Sequence, residues 1–167
     1  MLTQEKLKEL YSYNEMTGLF TRLKTSGGRK EGSVAGTISH NGYCCISIDN
    51  KHYLAHRLVW LYIYGYFPDN QIDHINHNKS DNRLCNLREV TRSENERNAT
   101  RSKANKSGVT GVSWQKRDKK WQAYIHAEGK EIYLGNFKCF HEAVSARKQA
   151  EVKYGFHRNH GSEKIKF

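Results

Sequence analysis

The sequence predicts an α+β fold in two parts, and three observations predict it. Short runs of β-branched and aromatic residues end at Asn, Asp or Gly turns, as antiparallel strands do. Two longer stretches, beginning at Ala55 and Cys139, carry apolar or small residues at helical spacing. Between the parts runs NATRSKANKS, polar, basic and short of apolar residues.

The elements follow in order. Residues 2–13 read as a short helix ended by the turn NEMTG, and residues 19–23 as a strand. KTSGGRKEGSVAG is a basic, Gly-rich loop. Residues 42–48 alternate as a strand, Asp49-Asn50 suits a hairpin turn, and Lys51 to Leu54 returns as its partner. AHRLVWLYIYG forms a helix with Leu58, Val59, Leu61 and Tyr62 on one side; Gly65 stops it and Pro68 lies beyond. Residues 71–75 give a brief strand, 76–83 a loop, and 84–87 resume compact structure. Thr91-x-x-Glu94 fits a capping box at a helix start, with Ser93 as the other possible cap. Beyond the polar stretch, SGVTGVSWQKRDKKWQAYIHAEGKEIYLGNF gives three short strands with turns at Arg117-Asp118-Lys119 and Glu128-Gly129-Lys130. Residues 139–154 then form a helix whose small face, Ala143, Val144, Ala146 and Ala150, can lie close on a sheet.

The net charge of +11 over 167 residues favours a polyanionic partner, because Lys and Arg replace the counterions condensed on nucleic-acid phosphates. No apolar run is long enough to span a membrane. The start MLTQEKLKEL lacks the apolar core of a signal peptide, so a cytoplasmic protein is expected. The four cysteines, Cys44, Cys45, Cys85 and Cys139, form no C-x-x-C pair, so no structural zinc is expected. They read as reduced, small apolar residues.

The segment IDHINHNKSDNRLCNLREVTRSENERN concentrates the chemistry. Hydrolysing a phosphodiester needs a general base and a cation against the scissile phosphate. Imidazole suits the base, with a pKa near neutrality. Carboxylate and amide oxygens suit Mg²⁺, which uses one or two protein groups and keeps several waters. Asp73, His74, Asn86 and Asn95 supply these groups.

On those residues the segment resembles the HNH motif of phage-encoded homing endonucleases. Asp73-His74 ends the first strand, Asn86-Leu87-Arg88 gives the central Asn in its N-L-R context, and Asn95 lies in the helix that follows. Asn86 lies twelve positions after His74 and Asn95 nine positions after Asn86, the spacing of the H-N-N variant. The resemblance implies a ββα-metal (His-Me finger) core, two strands and a helix around one metal, packed on the N-terminal strands. It implies that Asp73 and Asn95 hold Mg²⁺ or Mn²⁺ and that His74 activates water. Asn86 would brace the loop and orient His74, and the products would carry a 5′-phosphate and a 3′-hydroxyl. His77 reads as loop polarity, and the pair His56-Arg57 as structural or phosphate-contacting. Lys79, Arg83, Arg88, Arg92 and Arg97 flank the site as phosphate-contact candidates.

The second part, through Gly111-Val112-x-Trp114, Trp121-x-Ala123-x-Ile125, Leu134-Gly135-x-Phe137 and Glu142-Ala143, resembles the DNA-binding domain of plant ethylene-response factors. That implies a three-stranded antiparallel sheet on one helix, entering the major groove of double-stranded DNA. Val112, Trp121, Ala123, Ile125, Leu134 and Phe137 form its core. Thr110, Ser113, Gln115, Tyr124, His126 and Tyr133 then face DNA, with Lys116, Arg117, Lys119 and Lys120 at phosphates. The plant domains place several Arg where this chain has Thr, Ser, Gln, His and Glu131, which implies site-tolerant recognition.

The domain reading is a nuclease half at 1–98 with its motif core at 71–98, a basic linker at 99–106, a DNA-binding half at 107–157 and a basic tail at 158–167. The expected protein is a free-standing, metal-dependent endonuclease that nicks double-stranded DNA in a bacterial host cell. It acts as a monomer, and cutting both strands would need a dimer or two sequential events. A DNA-binding regulator without catalysis is the main rival, and an RNA-directed protein the second.

Overall fold

The computed structural model describes residues 1–163. It divides into two compact units, Met1–Arg92 and Ser93–Phe167, and mixes short helices with small antiparallel sheets throughout.

The first unit opens with α1 (Gln4–Leu10), capped by the Thr3 hydroxyl on the Lys6 N–H. The helix expected to reach residue 13 stops at Leu10. Tyr11–Asn14 is a strand, β1, paired antiparallel with β2 (Leu19–Arg22). The alternation Tyr11-Ser-Tyr13 places aromatic rings where they pack on Phe20, and that tertiary gain overrides weak helix propensity. The Gly-rich loop contributes β3 (Val34–Ala35), paired to β2 and held by the Arg22 guanidinium on the Val34 carbonyl at 2.7 Å.

Next come β4 (Thr37–Ile38), β5 (Cys44–Ile48) and β6 (Lys51–Leu54), in one sheet of that order. Asp49 and Asn50 both take positive φ, 48° and 59°, as a two-residue turn with the strands' own twist requires. Helix α2 (Ala55–Tyr64) follows without a break and buries Leu58, Val59, Trp60 and Leu61. Gly65 ends it, its N–H bonding the Leu61 carbonyl at 3.0 Å, and the Gln4 amide caps the Tyr62 carbonyl at 2.7 Å. The core joins Leu7, Phe20, Ile46, Ile48, Leu58, Val59, Ile72 and Leu87. The unit closes with β7 (Gln71–His74) and β8 (Leu87–Val90), an antiparallel pair separated by a loop and a single 3₁₀ turn, Leu84–Asn86. Helix α3 (Arg92–Glu96) starts one residue before the second unit.

The second unit contains β9 (Val112–Gln115), β10 (Lys120–Ala127) and β11 (Lys130–Phe137), ordered β11-β10-β9, with α4 (Phe140–Lys153) laid across them. Val112, Ala123, Ile125, Ala143 and Ala150 are buried between sheet and helix, with Trp121, Leu134 and Phe137 partly so. The same helix also buries Arg147 and Glu151. The Arg147 guanidinium donates to Glu151 Oε1 at 3.0 Å and the Tyr124 carbonyl at 2.9 Å, and lies 3.1 Å from His160 Nε2.

Segment 99–106, expected as a linker, is tied into this unit. Arg101 N–H bonds the Ser162 carbonyl at 2.9 Å, Gly161 N–H bonds the Ala99 carbonyl at 2.9 Å, and the Arg101 guanidinium pairs with Glu163 at 2.6 Å. The unit boundary therefore precedes the one expected after residue 98. The cause is that polar residues here cross-link backbone, as the Asn105 amide does with the Val109 carbonyl at 2.9 Å. The expected tail thus begins as packed structure, and its residues 164–167 lie outside those described. All four cysteines are free, but Cys85 and Cys139 are exposed rather than buried. Among the described residues no helix is long and apolar enough to cross a membrane.

Burial beside Arg147 lowers the His160 pKa from 6.5 to about 4. The unfolded chain takes up this proton near the ordinary value, while the folded chain resists it until about 4. Stability is therefore full above 6.5 and falls as pH drops toward 4, by at most about 1.4 kcal/mol per pH unit. Thermal melts of the native chain and His160→Gln across this window should show the shallower acid slope in the variant.

Candidate active site

Asp73 and His74 end β7 and are 7% and 5% exposed. Strand alternation sends them to opposite faces, and each finds different partners. Asp73 lies opposite Arg88 in the strand register, and both Nε and Nη2 of Arg88 donate to its Oδ2, at 3.0 and 2.8 Å. Arg88, a phosphate-contact candidate by sequence, is thus an ion-pair partner of the aspartate. Arg88→Leu should lower thermal stability by about 2 kcal/mol, since it leaves a buried carboxylate without this cation. That is below the ~3–5 kcal/mol for a wholly buried pair, because the guanidinium is partly solvated.

The His74 ring lies in an aromatic enclosure. Its centroid is 5.0 Å from that of His56, edge to face, and 5.9 Å from that of Tyr43. Its Nε2 is 3.3 Å from Asn82 Oδ1. The Asn82 amide is oriented by its other end, which donates to the Ser80 carbonyl at 3.2 Å. The oxygen therefore faces the ring, which assigns the proton to Nε2 and the lone pair to Nδ1. Burial pulls the His74 pKa below its ordinary 6.5, opposed by the Asn82 hydrogen bond and the Asp73 charge. His56 is pushed down further, to about 3, by burial and then by His74 and Arg57. Both rings are neutral near pH 7, and a neutral imidazole is what a general base requires.

Asn86 is buried and holds the loop between the two strands. Its Oδ1 accepts from the Asn76 N–H at 3.0 Å, and its amide donates to the Asp81 carbonyl at 2.8 Å. The loop is cross-linked further: Asn76 donates to Asp81 at 2.7 Å, and Arg83 pairs with the same carboxylate at 2.6 Å. The Arg83 hydrogen bond is the main reason the Asp81 pKa is lowered. Asn86 therefore reaches the loop backbone, whereas the ring's amide partner is Asn82. Asn82, and the enclosure made by Tyr43 and His56, escaped the sequence reading. Asn82 is one of several Asn between His74 and Asn86, and only tertiary position singles it out.

A buttress stands behind Asn82. The Tyr13 hydroxyl, from β1, donates to the Asn82 carbonyl at 2.8 Å. Gly18, in the β1–β2 turn with φ +73°, abuts the Arg83 nitrogen and the Asn82 carbonyl carbon so closely that a Cβ would lie 2.5 and 2.7 Å from them.

Asn95 and Arg97 belong to the second unit and Arg92 ends the first. Arg92 is exposed and Arg97 half-buried. On the sheet, Ser113 lies opposite Gln122, Tyr124 opposite Tyr133, and His126 opposite Glu131. With Gln115 they form the face away from the buried Val112, Ala123 and Ile125. This face is polar and partly pre-paired: Gln115 Nε2 donates to Gln122 at 2.7 Å, and His126 sits 3.3 Å from Glu131. Gln122 was not foreseen there; the strand register adds it. Thr110 precedes the sheet, with its hydroxyl buried. Lys116 and Arg117 are exposed in the β9–β10 turn, and Arg117 pairs with Asp118 at 2.9 Å.

Residues 53–97 match the family model for HNH endonucleases. The chain is 39% identical to protein 3.8 of Escherichia phage T7 over 77 residues, covering 46% of this chain and 64% of that one. Among solved structures it is similar to the HNH homing endonuclease I-HmuI, whose structure describes DNA binding and cleavage. That likeness has 30% identity and a TM-score of 0.38, and covers 48% of this chain and 46% of the other. The chain thus spans less than two thirds of each relative.

Proposed function

We propose, from the HNH endonuclease match over residues 53–97, that this chain is a metal-dependent endonuclease that nicks double-stranded DNA. The observation that carries the reading is the His74 imidazole, buried and held by Asn82, within the matched segment.

His74 acts as general base through Nδ1, taking a proton from the attacking water. Asn82 fixes the ring through Nε2–H, and Asn86 keeps the loop folded. The ββα-metal arrangement corresponds to β7, β8 and α3 in sequence order. Asp73 and Asn95 would hold one divalent cation, Mg²⁺ or Mn²⁺. A carboxylate and an amide oxygen fit a hard cation that keeps most of its water. Such a cation supplies charge stabilisation at the phosphate and the leaving oxygen.

The second unit is the duplex-binding half, similar to the ethylene-response-factor domain. Its face of Ser113, Gln115, Tyr124, His126 and Tyr133 meets the major groove, with Lys116, Arg117 and Arg92 at phosphates. Most of these side chains are short or neutral donors and acceptors, which suits site-tolerant recognition better than guanine-specific readout. One site per chain means one nick per binding event.

Supercoiled plasmid with Mg²⁺ tests this, beside an EDTA control. Relaxed circles from the native chain and none with EDTA are expected. Intact plasmid despite DNA binding would favour a binding protein without catalysis.

A further inference from the structure

The second unit holds a groove of about 640 Å³ between segment 102–107 and the edge strand β9. We propose that this groove binds an unpaired nucleotide of a DNA strand, its base against Trp114 and its phosphates at Lys106 and Lys116. The proposal rests on DNA as the partner; the groove shares Ser113, Tyr124 and Lys116 with the residues assigned to the duplex, and Trp114 is what sets it apart.

The first observation is Trp114. Its register partner is Trp121, which sets it on the core side of the sheet, yet it is 45% exposed. It stands on the outermost strand, and the Trp121 ring meets it at an angle of 61° with centroids 5.2 Å apart. A large aromatic surface is thus left open in a concave place, the kind of lining that small-ligand sites use.

The second observation is that the opposite wall is built in advance. The Ser107 hydroxyl bonds the Val112 carbonyl at 2.6 Å, and Asn105 accepts from the Gly108 N–H at 2.8 Å. A wall fixed by its own hydrogen bonds spares a ligand the entropy of ordering it. The volume lies within the span of small-ligand sites.

The third observation is charge. Lys106 and Lys116 line the groove, both exposed, and no Asp or Glu is among its described lining residues. An aromatic ring and two cations lining one groove fit a ligand with a π face and anionic groups beside it. A nucleotide within a strand has that form. A paired base does not, because its faces are covered by its neighbours. Stacking of unpaired bases on aromatic side chains, with a basic groove along the backbone, is the general chemistry of single-strand binding.

The test uses the full chain and fluorescence anisotropy with labelled DNA of equal length, either an intact duplex or a duplex with a short single-stranded gap. The native chain should prefer the gapped DNA. Trp114→Ala should lose about tenfold in affinity for gapped DNA and keep its affinity for the intact duplex. Trp114→Phe keeps a ring and should retain most of the preference, which separates lost stacking from lost folding. Equal native affinity for the two DNAs, or equal weakening of both by Trp114→Ala, overturns the proposal. So does a free mononucleotide that competes as well as a single strand, which would make the groove a site for free nucleotides. Failure of the proposed function looks different: neither DNA is bound, or the native chain leaves plasmid intact.

Discussion

Replacing His74 with alanine should lower the rate of DNA cleavage by roughly 10²–10⁴-fold, with DNA affinity unchanged. The size follows from the role: a positioned base lost from a hydrolytic step costs that range, and the cation and binding surface keep the remainder. Retained affinity follows from place. His74 is 5% exposed and enclosed by Tyr43, His56 and Asn82, so it has little surface to offer a phosphate. Single-turnover nicking and anisotropy on the same preparation separate the two quantities. Equal loss of both would show that His74 supports the fold rather than the chemistry.

Gly18→Ala should lower the stability of the first unit by about 3 kcal/mol, near the upper end of single-substitution effects. Two terms add. Alanine at φ +73° costs about 1 kcal/mol. The rest comes from the new methyl, which would lie 2.5 Å from the Arg83 backbone nitrogen, an atom that cannot swing aside. The turn and the loop must separate, and the Tyr13–Asn82 hydrogen bond goes with them. For a unit of this size the melting temperature should fall by about 15 °C. Gly27 is the control: its φ is also positive, 56°, but nothing lies within 4 Å, so Gly27→Ala should cost only about 1 kcal/mol. Differential scanning calorimetry of the two variants distinguishes contact from conformation. Cleavage by Gly18→Ala, measured well below its melting point, should also fall, because Asn82 moves and His74 loses its orientation.

What was legible in the sequence had local causes. Lys51–Leu54, the Asp49-Asn50 turn and the helix from Ala55 to its stop at Gly65 follow from alternation, turn chemistry and helical spacing within a few residues. The inward set Val112, Ala123 and Ile125 follows from strand alternation in the same way. What was not legible depended on contacts distant in sequence. Tyr11–Asn14 is a strand because β2 is beside it. Asn82 matters because His74 and Tyr13 reach it from either side. Arg147, Glu151 and His160 are polar or charged, yet they pair with one another in the interior. The polar stretch at 99–106 was misleading because composition does not say whether a side chain bonds water or backbone.

The support that β1 and its turn give to Asn82 bears on how such a candidate catalytic segment could be moved between proteins. The acid, imidazole and amides can all be copied as one stretch from Ile72 to Asn95, and the copy would carry every reactive group. It would lack the ledge, contributed some sixty residues earlier in the chain, that holds the imidazole's partner still. A portable cassette therefore has to reach back at least to Tyr11. A graft without that hairpin would inherit the motif and lose the aim.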